Sequence, residues 1–104
     1  MLEAIEGIEN ATRNKTIANY STDWLLRHGV QRGIEIISEA ARRVPADIQA
    51  SQPQIPWSQI MAIGNILRHE YHRVADAIVW NVVAQHLPPL KAAIGDIAAK
   101  LDEK

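Results

Sequence analysis

Cysteine is absent from the 104 residues, so no disulfide and no thiolate metal site can form, and the chain suits a reducing compartment. No apolar run approaches the roughly 18 residues of a membrane span. The acidic start Met1-Leu2-Glu3-Ala4-Ile5-Glu6 lacks the basic end of a secretory signal, so a cytoplasmic address without membrane association is expected. Positive charge is not in excess: 11 Lys and Arg against 12 Asp and Glu leave a formal net charge of -1. No global field therefore draws in nucleic acid, and any RNA contact must come from a local patch. Strand alternation, a Gly-rich phosphate loop, internal repeats and low-complexity tracts are missing too, which leaves helices.

What is present is ordinary for a globular chain, with 47% hydrophobic and 22% charged residues. At this length residues 1–104 form one domain, near the size where burial is modest and an oligomer interface helps. Leu2, Ile5 and Ile8 predict a first helix over about residues 2 to 13, followed by a polar connection from Asn14 to Ser21 with room for one helical turn. Ser21 or Thr22 is the expected cap of a long helix with Leu26, Val30, Ile34, Ile37, Ala41 and Val44 along one side. His28, Gln31, Glu35, Glu39 and Arg42 line the other, as a solvated face or a polar seam, until Pro45 stops the helix.

Residues 46–55 read as a loop with a short turn, and Pro56 suits the first position of a central helix. Val74, Ile78, Val79, Val82 and Val83 mark a further stripe. Pro88 and Pro89 are expected to break that helix and open the last one, which carries Leu90, Ala93, Ile94, Ile97, Ala98 and Leu101. Trp24, Trp57 and Trp80 read as core or interface aromatics, since no basic interleaving makes them a base-stacking platform. His28 and His86 read as surface or capping histidines. The sum is an all-α antiparallel bundle of four to five helices.

The central stretch, Pro56 to His72, holds the chemistry. At 100° per residue Asn65, Arg68, His69 and His72 share an arc about 100° wide, opposite Ile60, Ile63, Gly64, Leu67 and Tyr71. An imidazole can move protons near neutral pH, a guanidinium can grip phosphate, and an amide can orient either. On chemistry alone such a face is more often a solvated surface than a site. Gly64 stands on the apolar arc, where a mid-helix glycine costs on the order of 1 kcal/mol, so a neighbouring helix is expected to pass close by. His69 and His72 have a spacing that can ligate a metal, but no third ligand is evident, so neither metal nor cofactor is expected.

Four segments, Gly33 to Ala41, Ile63 to Tyr71, Ile78-Val79-Trp80 and Leu87 to Lys91, resemble the HepT-like branch of the HEPN superfamily in order and spacing. The resemblance implies a HEPN-like helical bundle that pairs as a homodimer, its two central helices meeting at a cleft. It also implies a ribonuclease toxin of a toxin–antitoxin pair, with RNA as substrate and a minimal nucleotidyltransferase antitoxin as partner, which adds AMP to the tyrosine two places after the motif histidine. Here that tyrosine is Tyr71, which equally suits the core if the helix runs on. The family motif is an arginine, four to six residues, then histidine, with asparagine after the arginine. Asn65, His69 and Tyr71 match it, whereas Gly64 stands in the arginine's place and an arginine appears at Arg68 instead. The resemblance thus implies His69, Arg68 and Asn65 as the catalytic set. The alternative is an inactive member that dimerises and binds its partner without cleaving RNA.

Overall fold

The longest apolar stripe becomes the longest helix. The computed structural model describes residues 1–70 and 76–102, with the side chains of His69, Glu70 and Asp102 outside the description. The helices are α1 (Leu2–Thr12), α2 (Ile17–Thr22), α3 (Trp24–Arg42), α4 (Ala46–Ala50), α5 (Trp57–Glu70), α6 (Asp76–Asn81) and α7 (Leu87–Asp102). No strand occurs among the described residues, and the fold is all-α. Four long segments, counting α6 and α7 as one rod, carry the bundle, and α2 and α4 are short additions.

Helix α3 buries Val30, Ile34, Ile37 and Ala41 on the expected side. Its cap is Asp23, not Ser21 or Thr22: the carboxylate accepts the Leu26 N–H at 3.0 Å. Ser21 and Thr22 belong to α2, which a reciprocal box opens. The Thr16 N–H donates to Asn19 Oδ1 at 2.8 Å, and the Asn19 N–H donates to Thr16 Oγ1 at 3.3 Å.

One residue of the supposed solvent face is buried. Gln31 lies in the core and its Nε2 donates to the hydroxyl of Tyr20 at 3.1 Å, while the Tyr20 ring packs on Trp80 with centroids 5.7 Å apart. Burial pushes the Tyr20 phenol above its ordinary pKa, and the Gln31 bond offsets part of that rise. Tyr20→Phe leaves a buried amide without its partner, so a loss of about 1–3 kcal/mol in urea unfolding is expected.

Residues 46–55 hold α4, and the Trp57 indole N–H donates to the carbonyls of Gln49 (3.1 Å) and Gln52 (3.2 Å), which pins that loop to the core. Pro56 sits one place before α5 and supplies its first carbonyl, to the N–H groups of Gln59 and Ile60.

The prolines do not break the chain where expected. Val82–His86 form a π-helical turn in which the Leu87 N–H donates to the Val82 carbonyl, and α7 follows without interruption. The wide turn re-aims the carbonyls that a proline ring would strike, so Pro88 and Pro89 fall in the first turn of α7, where a missing N–H is tolerated. The stripe across α6 is also thinner than its sequence suggests. Val79 is buried and Val82 and Val83 are half-buried, but Ile78 is exposed, and Val74 lies outside the described residues.

Helices α3 and α5 run antiparallel in close contact. Ser38 Oγ (2.8 Å) and Arg42 Nη2 (3.0 Å) both donate to the Met61 carbonyl, and one turn on Gly64 faces Ser38 and the backbone of Glu35. A Cβ at Gly64 would overlap the Cβ and Oγ of Ser38, so the close approach expected at this glycine is present.

Candidate functional site

The outer face of α5 follows from its inner one. Because Ile60, Gly64 and Leu67 are buried against the bundle, Asn65 and Arg68 are turned to solvent. His69 follows in the last turn of the helix, and its side chain lies outside the description. Tyr71 and His72 also lie outside the described residues, so the structure brings together only Asn65 and Arg68 of the expected set.

Arg68 is not idle. Its Nη2 donates to Glu39 Oε1 of α3 at 2.6 Å, with the two side chains 43% and 44% exposed. Glu39 also faces Arg42 Nε at 3.9 Å, and Glu35 meets Arg32 at 3.8 Å. The far side of α3 is therefore a polar seam that reaches α5, with its two glutamates each set against arginine.

The hydrogen bond from Arg68 holds the Glu39 carboxyl below its ordinary 4.5, against the opposing effect of desolvation and with help from the charges of Arg68, Arg42 and Arg43. The same bond raises Arg68. A carboxylate with a lowered folded-state pKa contributes stability that is complete above its unfolded value and is lost as pH falls through the folded one. The bridge is thus intact at neutral pH and opens only below about pH 4.5. Arg68→Gln is expected to raise the Glu39 titration toward that of an ordinary carboxylate, read by NMR of the side-chain carboxyl.

Two further features fall outside the expected set. Trp24 is 69% exposed and so not part of the core, and its ring stacks on His28 with centroids 4.3 Å apart and planes at 32°. His28 Nδ1 lies 2.8 Å from the Trp24 carbonyl. His86, at the end of the π-helical turn, is half-buried beside Asn81 at the mouth of a cavity of about 190 Å³ walled by Ile34, Ile37, Ile60 and Leu90. Among the described residues no three His, Asp or Glu side chains stand close enough together to hold a metal ion.

A sequence model of HepT-like ribonucleases matches residues 1–97, nearly the whole bundle and all of α5. The chain belongs to the HepT-like ribonuclease family. Among its relatives, the “Probable ribonuclease HepT” of Thermococcus cleftensis is 35% identical over 89 residues, 86% of this chain and 81% of that protein. The “Gamma-glutamylcyclotransferase and putative RNase MJ0434” of Methanocaldococcus jannaschii is 36% identical over 103 residues, 99% of this chain but 46% of that protein. The chain thus spans less than half of this second, longer relative. No solved structure matches the chain. Within this HepT-like bundle, α3 leaves no room for a side chain at Gly64, where a Cβ would overlap Ser38.

Proposed function

We propose that this protein is a metal-independent endoribonuclease, the toxin of a type VII pair, which cleaves RNA in a cleft between two copies of the chain. The observation that carries the reading is the family match across α5, on which Asn65 and Arg68 face solvent immediately ahead of His69. His69 acts as general base or acid for the ribose 2′-hydroxyl and the leaving oxygen. Arg68 stabilises the charge that gathers on phosphorus, and Asn65 holds the imidazole or a phosphate oxygen in place. Two copies concentrate the positive charge that a single chain with net charge -1 lacks. A minimal nucleotidyltransferase antitoxin silences the enzyme by attaching AMP to Tyr71.

A second reading has its own support. Arg68 is already neutralised by Glu39, and Gly64 cannot host the family's arginine, as expected of a member that dimerises and binds the nucleotidyltransferase without cleaving RNA. The purified protein, incubated with total RNA in chelator, is expected to yield defined fragments. Intact RNA would favour the inactive member.

A further inference from the structure

We infer that Arg42, on α3, is a second phosphate-binding residue, which with Arg68 forms a fork for one phosphate of the RNA, a place the Glu39 carboxylate fills in the free protein. The inference rests on the ribonuclease reading and adds to it a binding residue from a different helix.

The two guanidiniums reach one atom from two helices. Arg68 Nη2 of α5 lies 2.6 Å from Glu39 Oε1, and Arg42 Nε of α3 lies 3.9 Å from the same oxygen. The first contact is a hydrogen bond, and the second is an ion pair too long to be one. Arg42 is tied down elsewhere: its Nη2 donates to the Met61 carbonyl of α5 at 3.0 Å. That bond uses one of the five N–H groups of a guanidinium and sets the group in place against α5. Less freedom is then lost when a ligand takes the other donors.

The register along α5 suits the chemistry. Met61 lies one turn before Gly64 and Arg68 one turn after, so the two cations stand on either side of a position with no room for a side chain. Arg42 thus brings to this part of α5 a guanidinium that the helix cannot carry at Gly64. A third arginine, Arg43, acts on Glu39 through its charge and helps to keep the carboxyl low. Glu35 is matched separately, by Arg32 at 3.8 Å. Three arginines around Glu39 make the local positive patch that a chain of net charge -1 needs to hold a polyanion.

Stability does not account for the cluster. Arg42, Arg68 and Glu39 are 46%, 43% and 44% exposed, and ion pairs so open to water contribute little. An acidic protein segment offers its carboxylates to the same donors, since a guanidinium fork fits either anion. The neighbouring residues favour phosphate. Arg68 directly precedes His69, so an anion in the fork belongs to the strand whose 2′-hydroxyl His69 serves in the ribonuclease reading.

The test uses the full chain and a short 2′-O-methyl oligonucleotide, which offers phosphates but no 2′-hydroxyl to attack. Arg42→Gln is expected to weaken binding roughly tenfold and to lower the slope of log affinity against log salt by about 0.7, the worth of one contact on a single strand. Arg42→Lys keeps the charge and should keep most of that slope. Because both arginines hold one phosphate, Arg42→Gln with Arg68→Gln should lose less than the two single losses multiplied together. Arg13→Gln, on α1, should change the slope little, and an equal fall there would reduce the fork to diffuse attraction and overturn the inference. Weaker binding with an unchanged slope in Arg42→Gln would make Arg42 a brace between helices and overturn it as well. A fall in slope in Arg42→Gln while the parent leaves unmodified RNA uncut would support the fork and sink the ribonuclease reading. RNA cleavage by the parent, with equal affinity and slope in parent and Arg42→Gln, would sink the fork alone. Tighter binding of a poly-glutamate peptide than of an oligonucleotide of equal charge, lost in Arg42→Gln, would assign the fork to a protein partner and overturn the proposal.

Discussion

Gly64→Arg, which supplies an arginine where the resemblance to the family leads one to expect it, is expected to cost this fold several kcal/mol and to yield no ribonuclease activity. The first atom of any side chain there meets the Cβ and Oγ of Ser38. Ser38 Cβ is fixed to the backbone of α3 and cannot rotate away, so the two helices must part. Parting them strains the bonds that Ser38 and Arg42 both make to the Met61 carbonyl, and a guanidinium would enter a buried position without a partner. A domain of this size has only about 5–15 kcal/mol of stability to lose. Gly64→Ala isolates the packing effect. Overpacking of about 1–3 kcal/mol is expected, reduced by the roughly 1 kcal/mol that alanine gains in a helix. Ser38→Gly in the same chain removes both obstructing atoms and is expected to recover most of the loss, measured as a double-mutant cycle in urea. A Gly64→Arg protein that unfolds at the parent's midpoint would refute the packing account. If it also cleaved RNA where the parent did not, the parent would be an inactive member.

Much of this bundle was legible because burial follows helical period. The stripe of α3, the apolar arc of α5 and the close approach at Gly64 all come from residue spacing that any helix imposes. Features that depend on a distant partner were not legible. Gln31 reads as solvent-facing until Tyr20, eleven residues away in sequence, is folded over it. Trp24 reads as core or interface from its residue type, and only the Asp23 cap ahead of it, which leaves the indole outside, rules out the core. The box at Thr16 carries a weak sequence signal because asparagine fills the place usually held by glutamate. Pro88 and Pro89 signal a break by local chemistry, but a π-helical turn absorbs them. In the candidate site, Asn65 and Arg68 were placed on the exposed face by period alone, whereas the pairing of Arg68 with Glu39 spans two helices.

That pairing makes the catalytic test sharper than loss of function alone. His69→Ala is expected to lower RNA cleavage about 10²–10⁴-fold, the usual worth of a positioned acid or base. Arg68→Ala is expected to cost about 10²–10³-fold if the guanidinium stabilises charge on phosphorus. Both losses are measured on the purified chain in chelator, and equal cleavage by parent and His69→Ala would remove the imidazole from the mechanism. Glu39→Gln then asks what Arg68 is for. Glu39 accepts a hydrogen bond from the guanidinium, so RNA must compete with it for the same donors. With the carboxylate gone, a catalytic Arg68 has nothing to leave behind, and tighter RNA binding with faster cleavage is expected. A structural Arg68 predicts the reverse pattern: unchanged RNA binding in Glu39→Gln. Because the pair is more than a third exposed, its loss should cost little stability, so a change in cleavage would report chemistry and not unfolding.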